Sequence, residues 1–233
     1  MAFTGKKRSR RLMPVFALTL MAAAPVLAEV RFEITHDHLY KGCRGIMTVD
    51  DQGIAFRGAK NHAWRWKYED IQELKLSPEG IHLTTYWDSA WRLGADRQYE
   101  FHGEVPATVY EIWRSRLDQR FVARLADEAV QSVWSIPAKH LRRISGSEGM
   151  LEVASDRIVY RTPSKDDSRT WRFEDIENVS SSGPFQMTIT TYERARMHYG
   201  NLKDFNFQLK QRLSESRYNE LWRNVLLKNG RIQ

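Results

Sequence analysis

His36 and His38 stand two residues apart, which on a strand puts both imidazoles on one face, a spacing that zinc uses. His62, His82 and His102 would supply further nitrogens to such a site. No third ligand falls at a diagnostic spacing, however. The second half of the chain keeps only His140 at the corresponding place, with His198 elsewhere, so no metal is expected. Asp70 and Asp175 are candidate acids in matching surroundings. An Asp beside a strand-to-strand corner accepts backbone N–H groups and locks the turn, and a catalytic role would need the active site twice over. Both are therefore read as structural. Ser180-Ser181-Ser182-Gly183 has the composition of an active loop but falls where the other half has a hairpin turn. There is no Gly-x-Ser-x-Gly, no Walker loop and no Cys-His pair at an informative spacing. The residues point to a protein that is not an enzyme and holds no cofactor.

The elements around these residues come in two copies. Trp66-Lys67-Tyr68-Glu69-Asp70-Ile71 returns as Trp171-Arg172-Phe173-Glu174-Asp175-Ile176. His38-Leu39 is matched to His140-Leu141, Thr84-Thr85-Tyr86 to Thr190-Thr191-Tyr192, and Tyr99-Glu100-Phe101 to Phe205-Asn206-Phe207. Tyr110 with Trp113-Arg114 recurs as Tyr218 with Trp222-Arg223. Blocks kept in one order at a nearly constant offset mark an internal duplication. The expected organisation is a leader over 1–28, a first copy over 29–133 and a second over 134–233.

Within each copy the apolar period is two for seven short runs and then lengthens to about 3.6. In the first copy the runs are 30–34, 46–49, 54–57, a strand opening at His62, 71–76, 81–86 and 98–102. Val109, Ile112, Trp113, Arg116 and Arg120 then predict an amphipathic helix starting near Pro106. Phe121, Leu125 and Val133 carry its apolar side on to about residue 131, as a stiff connector between copies. The second copy repeats the order, and Ser214 caps a shorter terminal helix whose inward stripe is Tyr218, Leu221, Trp222 and Val225. Trp66 and Trp171 are assigned to the cores, because a small barrel needs apolar area of that size.

The chain has 233 residues, 42% of them hydrophobic, enough for two cores of about 100 residues each. Its formal charge of +7 is concentrated in Lys6, Lys7, Arg8, Arg10 and Arg11. The remainder carries +2, the +7 of the whole less those five, and no basic stripe interleaves with aromatics. Nucleic-acid binding is not expected. The basic cluster, the uncharged run Leu12 to Ala28 and Val26-Leu27-Ala28 read as a secretory signal cleaved before Glu29. An uncleaved inner-membrane anchor is the alternative, although the run is short for a span and holds Pro14 and Pro25. Cys43 is the single cysteine, so no internal disulfide contributes; it is read as half-buried and inert.

Seven strands and a helix, twice over, resemble a tandem of bacterial pleckstrin-homology-like (PH-like, GRAM-type) domains. The likeness rests on the aromatic-basic-aromatic-Glu-Asp-Ile block, the aromatic-x-Phe strand before each helix, and Trp113 and Trp222 in the helices. It implies a mainly β (α+β) protein of two seven-stranded barrels, each closed at one end by a helical Trp. In that family, basic residues between the first two strands grip phosphorylated headgroups. The matching positions are Lys41 and Arg44 in one copy and Arg142 and Arg143 in the other. The expected function is a non-enzymatic, exported binding or scaffold protein of the cell envelope with a protein partner there. The alternative is a peripheral module whose basic loops touch an anionic membrane surface.

Overall fold

The computed structural model describes residues 29–37, 42–59, 62–89, 95–164, 167–194 and 202–231. The expected leader, His38, Lys41 and His198 lie outside the described residues. The first copy contributes β1 (Val30–His36), β2 (Cys43–Val49), β3 (Gly53–Gly58), β4 (Ala63–Lys67), β5 (Ile71–Ser77), β6 (Gly80–Asp88), β7 (Asp96–His102) and helix α1 (Ala107–Arg116). A short strand, β8 (Phe121–Ala123), follows. The second copy contributes β9 (Trp134–Leu141), β10 (Gly146–Val153), β11 (Arg157–Arg161), β12 (Arg169–Arg172), β13 (Ile176–Gly183), β14 (Gln186–Arg194), β15 (Leu202–Leu209) and helix α2 (Glu215–Lys228).

The protein is mainly β, and its strands form one sheet in the order β13-β14-β15-β9-β10-β11-β12-β8-β5-β6-β7-β1-β2-β3-β4. Each copy thus supplies the same run: its fifth, sixth and seventh strands, then its first to fourth. The hydrogen-bonded ladder ends at β13 and β4 without closing. Alternation along the strands splits the buried side chains into two clusters. One gathers around Trp66, Phe56, Phe101 and Trp113, the other around Trp171, Tyr160, Phe173 and Phe207. The indoles of Trp66, Trp113 and Trp171 have no acceptor for their N–H, so area and ring geometry hold them. Trp66 meets Tyr99 edge-on at 4.8 Å, and Trp171 meets Phe205 in the same way at 4.8 Å.

The hexapeptides form equivalent corners, with 3-10 turns at Tyr68–Asp70 and Phe173–Asp175. Their acids are used differently. Asp70 accepts the backbone N–H of Lys67 at 3.1 Å, whereas Asp175 faces the Arg172 guanidinium, with contacts of 2.5 and 2.7 Å. Burial pushes the Asp175 carboxyl up to about 6, against the pull of Arg172 in the other direction.

Three expectations from the sequence are corrected. The helix over residues 106–131 stops at Arg116. Asp118 then takes a left-handed backbone (φ 46°), and Phe121-Val122-Ala123 becomes a strand. Strand beats helix there because all three residues are buried and two sheet edges flank them. β8 runs parallel to β5 and also pairs with β12 through Ala123 and Thr170. Second, Trp222 is 42% exposed, and the inward position is held by Leu221 at 1%. Tyr110 and Tyr218 align the helices, so Trp113 corresponds to Leu221; one residue further is a rotation of about 100°. Third, the position equivalent to His140 is His36, not His38. His36 pairs with Phe101 and His140 with Phe207, and their rings lie 5.1 and 5.0 Å from those phenyls. His36 itself is buried, and His38 lies outside the described residues.

The two copies are joined by more than β8. Arg120 donates to the carbonyls of Tyr68 and Ile71 at 2.9 and 3.1 Å, and Arg124 N–H to that of Leu76 at 2.6 Å. From the other side, Arg172 reaches the carbonyls of Arg114, in the last turn of α1, and of Asp118, just past its end. Lys67, its counterpart at the free edge, is exposed and pairs only locally with Glu69 at 3.1 Å.

Two predictions follow from this packing. Leu221→Ala lowers stability by about 2–5 kcal/mol, and Trp222→Ala by less than about 1 kcal/mol. Urea denaturation read by fluorescence and circular dichroism checks the ranking; the reverse order would put the wrong helix face against the sheet. Arg172→Lys strands the Arg114 and Asp118 carbonyls and costs about 3 kcal/mol. Hydrogen exchange at 121–123 should rise well before exchange at β1 or β2, and unchanged protection in β8 would remove Arg172 from the junction.

Candidate functional site

The charged residues that the strands aim outward at the junction line a cleft of about 890 Å³ between the copies. Glu73 and Lys75 come from β5, His82 from β6, and Glu100 and His102 from β7. Arg124 follows β8, while Glu193 and Lys203 come from β14 and β15. Alternation explains the placement, since residues two apart in a strand share a face while their neighbours Leu74, Leu76 and Phe101 enter the core.

The cleft has two electrostatic halves. On the second copy, Lys203 sits 3.0 Å from Glu193 and 4.7 Å above the Phe205 ring. Burial lowers the Lys203 pKa, Glu193 raises it, and Arg169 and Arg124 lower it further. Arg124 has a buried Nε without a hydrogen-bond acceptor. On the first copy, Lys75 lies 2.5 Å from Glu73, and His82 Nδ1 lies 3.3 Å from Glu100. Burial, then Lys75, lowers the His82 pKa, with Glu100 opposing. At the rim His102 Nε2 lies 3.3 Å from Asp37. Such an arrangement offers charged groups of both signs, and among the described residues of the lining there is no activated nucleophile.

A second polar cluster lies inside the second copy. The Asp167 carboxylate, 3% exposed, takes His140 Nδ1 at 3.0 Å, Arg142 Nε at 3.0 Å and the Ser147 hydroxyl. Tyr160 shares Ser147, donating to its carbonyl at 2.6 Å. Burial alone would raise the Asp167 pKa, but the hydrogen bonds from His140, Arg142 and Ser147 outweigh it and hold the carboxyl well below the usual range. Ser, His and Asp meet in the wrong order for acyl transfer. The carboxylate stands between hydroxyl and imidazole, so no base faces the serine, and a carboxylate this acidic is a poor proton acceptor. The cluster ties the β9–β10 hairpin to the segment before β12. His140 bonds the Asp167 side chain, a contact 27 residues away that no local pattern signals.

Of the basic positions expected to face a headgroup, Arg44, Arg142 and Arg143 are among the described residues. Arg44 is exposed on β2 opposite Thr35. His36 pairs with Cys43 and His140 with Ser147, so the counterpart of Arg44 is Glu148, which Lys210 engages at 2.5 Å. Arg142 is committed to Asp167, and Arg143 is exposed on the β9–β10 turn. Trp66, Trp113 and Trp171 are core residues. Cys43 is half-buried, its Sγ 3.6 Å from the Ala59 carbonyl. Among the described residues no helix is long and apolar enough to cross a membrane.

No protein-family model and no curated protein matches the chain. Among solved structures it is similar to the C-terminal domain of an unknown protein from Leishmania infantum, at 12% identity and a TM-score of 0.32, covering 41% of this chain and 84% of that one. It is also similar to the Spt16D Pob3N heterodimer, at 11% identity and a TM-score of 0.30, covering 71% of this chain and 84% of that one. At these TM-scores neither likeness carries an argument about fold or function.

The Asp167 cluster predicts a specific acid response. A carboxyl whose folded pKa is depressed stabilises the fold above its unfolded pKa of about 3.9, and that contribution is lost as pH falls toward the folded value. Asp167→Asn should therefore cost about 3 kcal/mol at pH 7, hold that cost down to about pH 5, and lose it progressively below about pH 4. Denaturation midpoints of both proteins across this range measure it. A penalty already fading at pH 6 would contradict the depressed pKa.

Proposed function

We propose that the chain is a non-enzymatic, exported binding or scaffold protein of the cell envelope, made of two PH-like units fused edge to edge. The reading is supported first by the cleft at the junction, which draws one wall from each copy and carries paired charges from both. A protein segment bearing acidic and basic side chains fits such a lining, exchanging the internal ion pairs for intermolecular ones. The PH-like reading of each unit draws on the repeated strand order and on the corner and aromatic motifs. Export draws on the basic, apolar and small-residue succession of the first 28 residues. Headgroup binding is the weaker reading, because Arg142 is occupied by Asp167 and Arg44 has an acidic counterpart.

A photo-reactive amino acid placed at Glu79, on the cleft rim, and separately at Arg143, on the hairpin tip, tests this in intact envelopes. The Glu79 position should give a discrete protein adduct that Lys75→Glu diminishes several-fold, and the Arg143 position should not. The full chain should sediment equally with neutral and anionic vesicles. Sedimentation confined to anionic vesicles and abolished by Arg143→Glu would replace the protein-partner reading with the lipid one.

A further inference from the structure

We propose that Asp37, Glu100 and His102, at the rim of the cleft, form a binding site for a divalent transition-metal ion of the zinc type, with His82 positioning Glu100. The proposal does not depend on a protein occupying the cleft. β7 carries Glu100 and His102 two residues apart on its outer face. Its two neighbours bring the rest. His82 on β6 is the register partner of Glu100, and Asp37, just past β1, donates its backbone N–H to the Glu100 carbonyl at 2.8 Å. One ligand atom from each of Asp37, Glu100 and His102 lies within 4.8 Å of the others, and the His102–Asp37 pair is already at 3.3 Å. Ligands bound tetrahedrally at about 2.0–2.2 Å stand about 3.4 Å apart, so small side-chain rotations complete the set. His82 is held at both nitrogens, by Glu100 at 3.3 Å and by the Thr84 hydroxyl at 3.4 Å, as a residue that orients a ligating carboxylate would be.

The duplication supplies an internal comparison. On the structural register, Asp37, His82, Glu100 and His102 correspond to Leu141, Thr188, Asn206 and Gln208. The second copy keeps the same strand pairing with a neutral set in which Thr188 and Asn206 simply hydrogen-bond at 2.8 Å. The fold therefore does not require acids and imidazoles at these positions. Nor do they add much as ion pairs, since His102 and Asp37 are about half exposed and such pairs contribute little. Two carboxylates with an imidazole select a borderline ion such as zinc or cobalt over magnesium, which takes oxygen ligands.

Isothermal titration of the full chain with zinc sulfate tests the proposal, with cobalt absorption as a second readout and magnesium as the control ion. The expected result is saturable one-to-one binding, weakened about 100-fold in His102→Gln and about tenfold in His82→Ala. Magnesium should give no saturable heat. Glu100→Asn with His102→Gln installs the residues that the second copy folds with, so loss of binding in that variant is not loss of fold. His62→Ala should bind as the unaltered protein does. Heat that never saturates, affinity unchanged in the Glu100→Asn/His102→Gln double variant, or loss of binding in His62→Ala would each overturn the assignment.

Discussion

Open sheet edges need partners, and the way one such edge is satisfied governs this structure. A seven-strand run that does not close leaves a row of unpaired N–H and C=O groups at either end. Between the copies, β8 fills that vacancy on both sides at once, parallel to β5 and paired with β12. Because one tripeptide serves two edges, the copies are not beads on a flexible linker. Arg120 and Arg172 reinforce the junction by giving charged donors to carbonyls that the short strand cannot reach, and the backbone N–H of Arg124 adds a bond to the Leu76 carbonyl.

From that junction follows the asymmetry between two copies of one design. The basic residue of the hexapeptide is Lys67 where the edge faces solvent and Arg172 where it is covered. Only a planar guanidinium engages Asp175 and two carbonyls together. The neighbouring burial differs accordingly: β4 has exposed positions at Ala63, Arg65 and Lys67, while every residue of β12 is buried. Charged Arg65 and Lys67 keep the remaining β4 edge from pairing indiscriminately.

The polar side chains divide along the same line. The second copy turns one polar set inward, Asp167 with His140, Arg142 and Ser147, where it locks a hairpin to a strand. The first copy keeps His82, Glu100 and His102 on the outer face of β6 and β7, at the wall and rim of the cleft. The two copies thus share the backbone while the side chains on the corresponding outer face differ, a neutral hydrogen-bonding pair in one and carboxylates with imidazoles in the other.

The sequence by itself determined the mainly β class, the succession of seven strands and a helix in each copy, the corners, and the core places of Trp66, Trp113 and Trp171. Each depends on residues within a few positions of one another, where alternation and turn chemistry act. Tertiary structure decided the rest. The apolar run after α1 satisfies a helical period equally well, and it became β8 because two open edges flanked it. Leu221 rather than Trp222 turns inward because the helix is set by its approach to β13, which a one-residue ambiguity in the repeat could not specify. His36 took the place assigned to His38 because cross-strand register with Phe101, not sequence offset, aligns the copies. The Asp167 cluster and the Asp37–Glu100–His102 rim join residues 20 to 65 positions apart. Contacts at that separation are set by strand pairing and by the packing of one copy on the other, which no local periodicity encodes.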